Sequence, residues 1–203
     1  MVITEIGGTV GDIEGLPFLE AIRQMRLDLG RGNVLYIHLT LVPYIRAAQE
    51  IKTKPTQHSV GRLREIGILP DIIICRTERP LTQEARDKIS LFCNVDKEAV
   101  IEERDVRYSV YELPLVFLKQ RLDQLIISSL ALEAKKAEMA EWQEIMQRIK
   151  APEAEVKIAV VGKYIHHQSA YESIYAALEH GGIANRAAVK VTRVESENIE
   201  KDG

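Results

Sequence analysis

The sequence predicts an α/β fold with a mostly parallel sheet, and three observations support this prediction. Short apolar runs typical of buried strands alternate with amphipathic helical stripes over the first half of the chain. Glycine-rich and lysine-rich segments follow some of these runs, at the edge where ligands bind in open α/β sheets. A fresh apolar run, VKIAVVG, begins after a long helical stretch and predicts the start of a second α/β unit.

The elements of the first unit are predicted from local spacing and end signals. Residues 16–29 are predicted as a helix because Phe18, Ile22, Met25 and Leu29 recur at helical spacing. Gly30 suits the end of that helix. The remaining predictions are strands at residues 2–5, within 33–44, at 71–75 and at 99–101, and helices at 59–66 and 80–92.

A helical stretch separates the two units. Residues 113–132 are strongly helical in pattern, and residues 133–150 are rich in Ala, Glu and Lys, with Trp142 and Met146 on one apolar face. Pro152 ends this pattern, so residues 152–155 are predicted as a linker. A strand at 156–162, a helix at 170–180 and a strand at 188–194 are predicted beyond it.

Composition excludes several classes of function. The 203 residues carry a net charge of −3, which gives no basic excess for nucleic acid. We find no apolar run of the ~20 residues that a membrane span needs, and no secretory signal pattern. The two cysteines, Cys75 and Cys93, lack metal-site spacing and are expected to be small buried thiols. A reduced, cytoplasmic setting is expected.

The segment around Glu5 has the composition of a ligand-binding turn. Glu5 ends an apolar run and is followed by Gly7, Gly8 and Gly11. Glycine lets the backbone approach a bound group closely, and one carboxylate at a strand end suits Mg²⁺ with its waters and substrate phosphates. A plain strand and turn with its acids in water explains these residues equally well, so both interpretations stay open.

The segment IKTKPTQH, residues 51–58, is a second candidate. Pro55 fixes its own φ and restricts Lys54 to extended geometry, so we predict a stiff loop rather than the interior of a helix. Two ammonium groups, two hydroxyls and an amide suit a triphosphate and a polar base edge. An ordinary solvated surface loop is the competing interpretation.

Taken together, the segments resemble one family, CTP synthase, the glutamine-dependent amidotransferase that makes CTP from UTP. The resemblance runs through nearly the whole chain. It rests on EIGGTVGDIE (5–14), LPFLEAIRQ (16–24), HLTLVPY (38–44), KTKPTQHSV (52–60), PDIIICR (70–76), LFCNV (91–95) and VGKYI (161–165).

This resemblance implies a domain organisation. Residues 1–132 correspond to part of an amidoligase domain. Its sheet is of the type found in P-loop and dethiobiotin-synthetase-like proteins, but it is incomplete and the P-loop itself is missing. Residues 133–155 correspond to a helical linker, and residues 156–203 to the start of a flavodoxin-like glutaminase domain. In the family, ATP phosphorylates O4 of UTP with Mg²⁺, and ammonia from glutamine displaces the phosphate. The family also implies a homotetramer with the pyrimidine site at subunit contacts.

The resemblance also implies roles for individual residues. Glu5 matches a Mg²⁺ ligand, and Val106 matches a contact to the adenine of ATP. Phe92 matches a region near the CTP base, although a core phenylalanine explains it equally well. The other implied contacts are Asp12, Ile13 and Glu14 to CTP, and Lys52, Thr53, Lys54, Pro55, Thr56, Gln57 and Lys88 to both UTP and CTP.

Parts of the family's machinery are not found in the sequence. It contains no G-x-x-x-x-G-K-[ST] motif, and neither cysteine lies in the second unit, where the glutaminase triad belongs. The chain alone is therefore expected to be inactive. Alternatives are a non-catalytic nucleotide-binding or interaction module, and a ligase without a glutaminase.

Overall fold

The computed structural model describes residues 1–165, 167–197 and 199, and these residues group into two units. The first unit contains Met1–Arg107 and Leu113–Ala137. The second contains Tyr108–Glu112 together with the described residues from Glu138 onward. His166 and the last few residues of the predicted glutaminase segment lie outside the described residues. The domain boundaries inferred from the family stay a prediction.

The first unit alternates strands and helices, as its sequence pattern predicts. Its helices and strands, in chain order, are α1 (Leu16–Leu29), β1 (Ile37–Leu41), β2 (Tyr44–Ile45), β3 (Glu50–Ile51), α2 (Lys54–Ile66), β4 (Ile72–Thr77), α3 (Gln83–Cys93), β5 (Val100–Arg104), α4 (Leu113–Lys119) and α5 (Leu122–Ser129). Short 3₁₀ turns lie at Ile13–Gly15, Arg31–Asn33 and Lys97–Ala99.

A parallel sheet in the order β1-β4-β5 forms the centre of the first unit. Ile37 of β1 lies opposite Ile72 of β4, and Ile73 lies opposite Val100 of β5. The short strands β2 and β3 pair with each other as an antiparallel hairpin. The prediction of an α/β fold with a parallel sheet is thus confirmed. All three central strands end at the same edge.

The core lies between β4, β5 and the helices that cover them. Ile73 and Cys75 of β4, Val60 of α2 and Ile89 of α3 are all 0% exposed and belong to one hydrophobic cluster. A continuous apolar run such as IIIC is expected for a strand buried on both faces. Burial of these side chains supplies the main driving force for folding of this unit.

Two predictions about the N-terminal part of the chain are wrong. Residues 2–5 form no strand, and Val2 is 90% exposed, because no described strand lies alongside to complete a hydrogen-bonded ladder. Lys54 and Pro55 begin helix α2 instead of lying in a loop. Proline is compatible with the first helical turn, where its missing N–H would have no intrahelical partner.

Other predicted elements change in length. The helical stretch at 113–132 is two helices, because Arg121 adopts a left-handed conformation (φ 61°) between α4 and α5. Residues 133–139 form no helix, since the described helix α6 (Ala140–Lys150) begins only at Ala140. The strand predicted from residue 156 begins two residues earlier, inside the predicted linker.

The second unit contains a parallel strand pair with a connecting helix. Besides α6 it has β6 (Ala154–Gly162), α7 (Glu172–Ala184) and β7 (Ala187–Glu195), with 3₁₀ turns at Val110–Glu112 and Gln168–Ala170. Ala154 lies opposite Ala187, and Gly162 opposite Glu195. No helix among the described residues combines the length and the apolar character needed to cross a membrane.

Candidate nucleotide site

The start of helix α2 is fixed at the carboxyl end of β1. The Thr56 hydroxyl is 0% exposed, accepts a hydrogen bond from the Thr40 hydroxyl at 3.3 Å and donates to the Leu41 carbonyl at 3.4 Å. Thr56 therefore anchors the helix with its side chain and does not present it to solvent. In open α/β sheets this is the edge at which ligands bind.

The first turn of α2 is open to an anion. Thr53 precedes the helix without capping it, in contrast to Thr82, whose hydroxyl accepts from the Ala85 N–H at the start of α3. The N–H groups of Lys54 and Thr56 have no partner in the part of the chain that the structure describes. Free N–H groups and the helix dipole together favour negative charge at this position.

The lysines of this segment stand beside that helix start. Lys52 and Lys54 are exposed, and Lys52 forms an ion pair with Glu50 at the end of the β2–β3 hairpin. The Lys52 N–H donates to the Pro43 carbonyl at 2.9 Å, which continues the β2–β3 pairing past Tyr44 and Ile51. The ammonium groups therefore lie on a fixed backbone, close to a helix start that favours anions.

The remaining polar side chains of the segment contact each other. The Gln57 amide nitrogen donates to the Thr53 hydroxyl at 3.1 Å, and the Gln57 N–H donates to the Thr53 carbonyl at the same distance. Thr53 is only 9% exposed. These bonds order the first helical turn, and they leave the side-chain oxygen of Gln57, Oε1, without a partner among the described residues.

Helix α3 brings two further predicted residues to the same place. The Lys54 ammonium lies 5.6 Å from the centroid of the Phe92 ring, and Phe92 is 52% exposed. Lys88 lies one helical turn before Phe92 and forms an exposed i,i+4 ion pair with Glu84. The Arg64 guanidinium donates to the Phe92 carbonyl at 3.0 Å, which fixes α3 against α2. Lys54 therefore lies beside Phe92, and Lys88 lies on the same side of α3, four residues before Phe92. The exposed Phe92 is not a core residue.

The glycine-rich segment at 5–14 is a structured turn. The Asp12 carboxylate accepts from the Thr9 N–H at 2.7 Å, and the Asp12 N–H donates to the Thr9 carbonyl at 3.0 Å. Gly11 has φ 109°, a conformation that other residues rarely adopt, and its Cα faces the side chain of Arg62. The turn therefore packs beside α2.

The structure does not bring this turn into contact with the lysine segment. The turn meets α2 near Arg62, eight residues beyond Lys54, which is about 12 Å along a helix axis. Among the described residues we find no hydrogen bond or ion pair between residues 5–14 and residues 52–57. A nucleoside triphosphate is long enough to span such a distance, so binding of one nucleotide by both segments stays a prediction.

Glu5 is a single exposed carboxylate. Within residues 1–165, 167–197 and 199, we find no cluster of three or more His, Cys, Asp or Glu side chains arranged to hold a metal ion. Mg²⁺ commonly takes one or two protein carboxylates together with substrate phosphates and water. The exposed Glu5 side chain fits one position of such a site. Ile13 and Glu14 are exposed as well, and Ile13 is 82% exposed.

Val106 lies at the carboxyl end of β5. The Asp105 N–H donates to the Thr77 carbonyl at 3.1 Å, and the Arg76 Nε lies 3.2 Å from Asp105 Oδ1. Both contacts extend the β4–β5 pairing past the end of the strands, and half-buried Val106 follows directly. Burial raises the pKa of the neighbouring Glu103 carboxyl, with Arg76 opposing that shift.

Sequence reasoning missed two cationic residues at this edge. Arg76 lies near the end of β4, and the Arg79 guanidinium stacks over the Tyr44 ring at 5.4 Å from its centroid. The sequence could have indicated both residues, because arginines that follow an apolar strand run lie at the ligand-binding edge of a parallel sheet. They add positive charge between the α2 start and Val106.

Comparison with known proteins is consistent with this geometry. A family model described as "CTP synthase N-terminus" matches residues 1–132. The chain is 53% identical over 200 residues to a CTP synthase of Desulfitobacterium hafniense, 54% over 198 residues to one of Koribacter versatilis, and 55% over 202 residues to one of Rhodopseudomonas palustris.

These relatives are considerably longer than the chain. The matches cover 98%, 98% and 99% of this chain, but only 37%, 35% and 37% of the three relatives. The chain therefore spans a little more than a third of the length of the relatives it matches.

Proposed function

The chain belongs to the CTP synthase family, and we propose that it carries the pyrimidine-nucleotide site of a ligase that converts UTP to CTP. The observation that carries this proposal is the contact of Lys54 with the exposed Phe92 ring beside the uncapped start of α2, with Lys88 on the same side of α3. The two ammonium groups and the free N–H groups suit triphosphate oxygens. The exposed ring face of Phe92 suits a pyrimidine base.

The remaining family roles extend this proposal. Asp12, Ile13 and Glu14 would contact CTP, and Val106 would contact the adenine of ATP at the same sheet edge. Glu5 would hold Mg²⁺ together with phosphate oxygens. When bound there, the ion would neutralise phosphate charge and so favour phosphoryl transfer. The chain's own residues bind and orient the nucleotides.

The glutamine-hydrolysing step needs a nucleophile that the described residues do not offer. Burial raises the pKa of Cys75 to about 12 and that of Cys93 to about 11, so both thiols stay protonated at neutral pH. A thiolate is the reactive form of cysteine. We propose that these residues alone do not catalyse either half-reaction. We also propose that the enzyme works as a tetramer in the cytoplasm, and that a flavodoxin-like glutaminase domain supplies the ammonia.

Nucleotide binding is tested first on the 203-residue chain by isothermal titration calorimetry with UTP and with CTP. Lys54→Ala and Lys52→Ala should each weaken both nucleotides by about tenfold, since each removes a charged partner of the same phosphates. Lys119→Ala is the matched control, because Lys119 is an exposed lysine at the end of α4. Equal affinities for the control and the two site variants would contradict the proposed phosphate site.

Catalysis is tested in one of the longer relatives named above, with its matching segment replaced by these 203 residues. We call this protein the grafted enzyme. We expect it to form CTP from UTP, ATP and glutamine. Glu5→Ala should abolish Mg²⁺-dependent CTP formation and leave glutamine hydrolysis intact. An inactive grafted enzyme whose segment still binds UTP would favour the alternative of a non-catalytic nucleotide-binding module. Normal CTP formation by Glu5→Ala would refute the metal role of Glu5.

A further inference from the structure

Phe92 lies in the last turn of α3, where a helix is held least well by its own hydrogen bonds. Asn94 follows in a left-handed conformation (φ 58°) and ends the helix. The carbonyl groups of a last helical turn have no further N–H groups ahead of them in the helix, so such a turn frays unless other groups bind them. The position of the Phe92 ring therefore depends on contacts from outside α3.

Helix α2 supplies such contacts from both of its ends. The Arg64 guanidinium donates to the Phe92 carbonyl at 3.0 Å, and the Lys54 ammonium lies 5.6 Å from the centroid of the Phe92 ring. The next residue of α3, Cys93, is buried in the hydrophobic cluster that also contains Val60 of α2. The backbone of Phe92 is thus fixed by Arg64 on one side and by the buried Cys93 on the other.

Arg64 lies apart from the proposed phosphate site, although both belong to α2. Lys54 is in the first turn of the helix and Arg64 in the last, ten residues or about 15 Å further along the axis. The screening length in water is about 8 Å at physiological ionic strength. Arg64 is exposed, so we expect its charge to contribute little to phosphate binding at the start of α2. Its hydrogen bond to Phe92 connects it to the base side of the site instead.

We propose that Arg64 is a positioning residue for the pyrimidine base, because it fixes the last turn of α3 and with it the ring of Phe92. The inference rests on the proposed function, in which the Phe92 ring stacks on the base and Lys54 binds phosphate. A ring that is already fixed in the free protein loses little conformational freedom when the nucleotide binds, so freeing the ring should weaken binding. Arg64 thus acts on the base half of the ligand, and Lys54 on the phosphate half.

Titration calorimetry of the 203-residue chain with three ligands separates these two halves. The ligands are UTP, CTP and inorganic tripolyphosphate, which has the phosphates but no base. Arg64→Ala should weaken UTP and CTP by about three- to tenfold and change the affinity for tripolyphosphate by less than about twofold. Arg64→Lys should recover part of the lost affinity, because an ammonium group can also donate to the Phe92 carbonyl.

A double variant tests whether Arg64 acts through Phe92. Arg64→Ala combined with Phe92→Leu should bind UTP and CTP no more weakly than Phe92→Leu alone, because the ring that Arg64 positions is already absent. Arg31→Ala is the matched control, since Arg31 is an exposed arginine of the same unit, just after the end of α1. It should leave all three affinities unchanged.

The outcomes separate this inference from the proposed function. Unchanged affinities for UTP and CTP in Arg64→Ala, in a chain where Lys54→Ala weakens both, would overturn the positioning role and leave the proposed function standing. An equal loss of tripolyphosphate affinity, or additive losses in the double variant, would also overturn it, because either result shows that Arg64 does not act through the Phe92 ring. A chain that binds none of the three ligands would contradict the proposed function, and the inference with it.

Discussion

The side-chain amide of Gln120 makes two hydrogen bonds to the backbone of Glu102. Its oxygen accepts from the Glu102 N–H at 2.8 Å, and its nitrogen donates to the Glu102 carbonyl at 2.7 Å. Glu102 lies in β5, which is an outer strand of the described sheet. Gln120 thus occupies the position that a neighbouring strand would take, and it covers groups that could otherwise pair with another chain.

Gln120→Ala should lower the free energy of unfolding by about 2 kcal/mol, because it leaves two half-buried backbone groups without partners. The measurement is urea denaturation of the 203-residue chain, followed by circular dichroism. Gln143→Ala on α6 is the control, since no side-chain hydrogen bond involves Gln143 in the described part of the chain. Equal midpoints for the two variants would show that the bonds to Glu102 add no stability.

Phe92→Leu should weaken binding of UTP and CTP by three- to tenfold, because leucine fills much of the volume but has no aromatic face on which a base can stack. Titration calorimetry with both nucleotides measures this change. Leu91→Ala is a suitable control, since Leu91 is 75% exposed on the preceding position of α3. Unchanged affinity for both nucleotides would remove Phe92 from the site.

Arg26→Lys should destabilise the first unit by about 1 kcal/mol. One guanidinium nitrogen of Arg26 contacts both oxygens of Asp71, at 2.7 and 2.8 Å, and the same group lies over the Tyr36 ring at 4.4 Å. A lysine ammonium cannot reproduce the planar contacts with the carboxylate and the ring together. Differential scanning calorimetry measures the change in Tm. Arg31→Lys, at an exposed position, should have no effect, and an equal shift in both variants would contradict this assignment.

His38 should make the fold sensitive to mild acid. Burial lowers the pKa of His38, whose Nε2 lies 2.9 Å from the Ser59 hydroxyl. The native state therefore keeps the imidazole neutral, while the unfolded chain binds a proton once the pH falls below about 6.5. Because the unfolded state then holds more protons, stability falls as the pH decreases through this range.

His38→Gln removes this titration and keeps a group that can bond Ser59. Its urea midpoint should change less between pH 7.5 and roughly pH 5 than the midpoint of the unmodified chain. His167→Gln, at an exposed position, should behave like the unmodified chain. An identical pH dependence of all three proteins would show that His38 does not contribute.

The amino-acid sequence by itself determined the elements whose signals are local and periodic. Helix α1 begins at Leu16 and ends at Leu29, as the spacing of Phe18, Ile22 and Met25 and the following Gly30 predict. The buried strand β4 was recognisable from its run of isoleucines. The resemblance in short strings to one family was sufficient to identify that family, which the comparisons confirm.

Tertiary structure decided what depends on residues far apart in the chain. Lys54 begins a helix against its local preference because Thr56 is held by the carboxyl end of β1. Tyr111 packs with Trp142 and His180, which no local pattern indicates. Likewise, residues 2–5 have the composition of a strand, but a strand forms only where a partner supplies its hydrogen bonds. Long-range contacts determine these features, because their free energies exceed the weak helix and strand propensities of short segments.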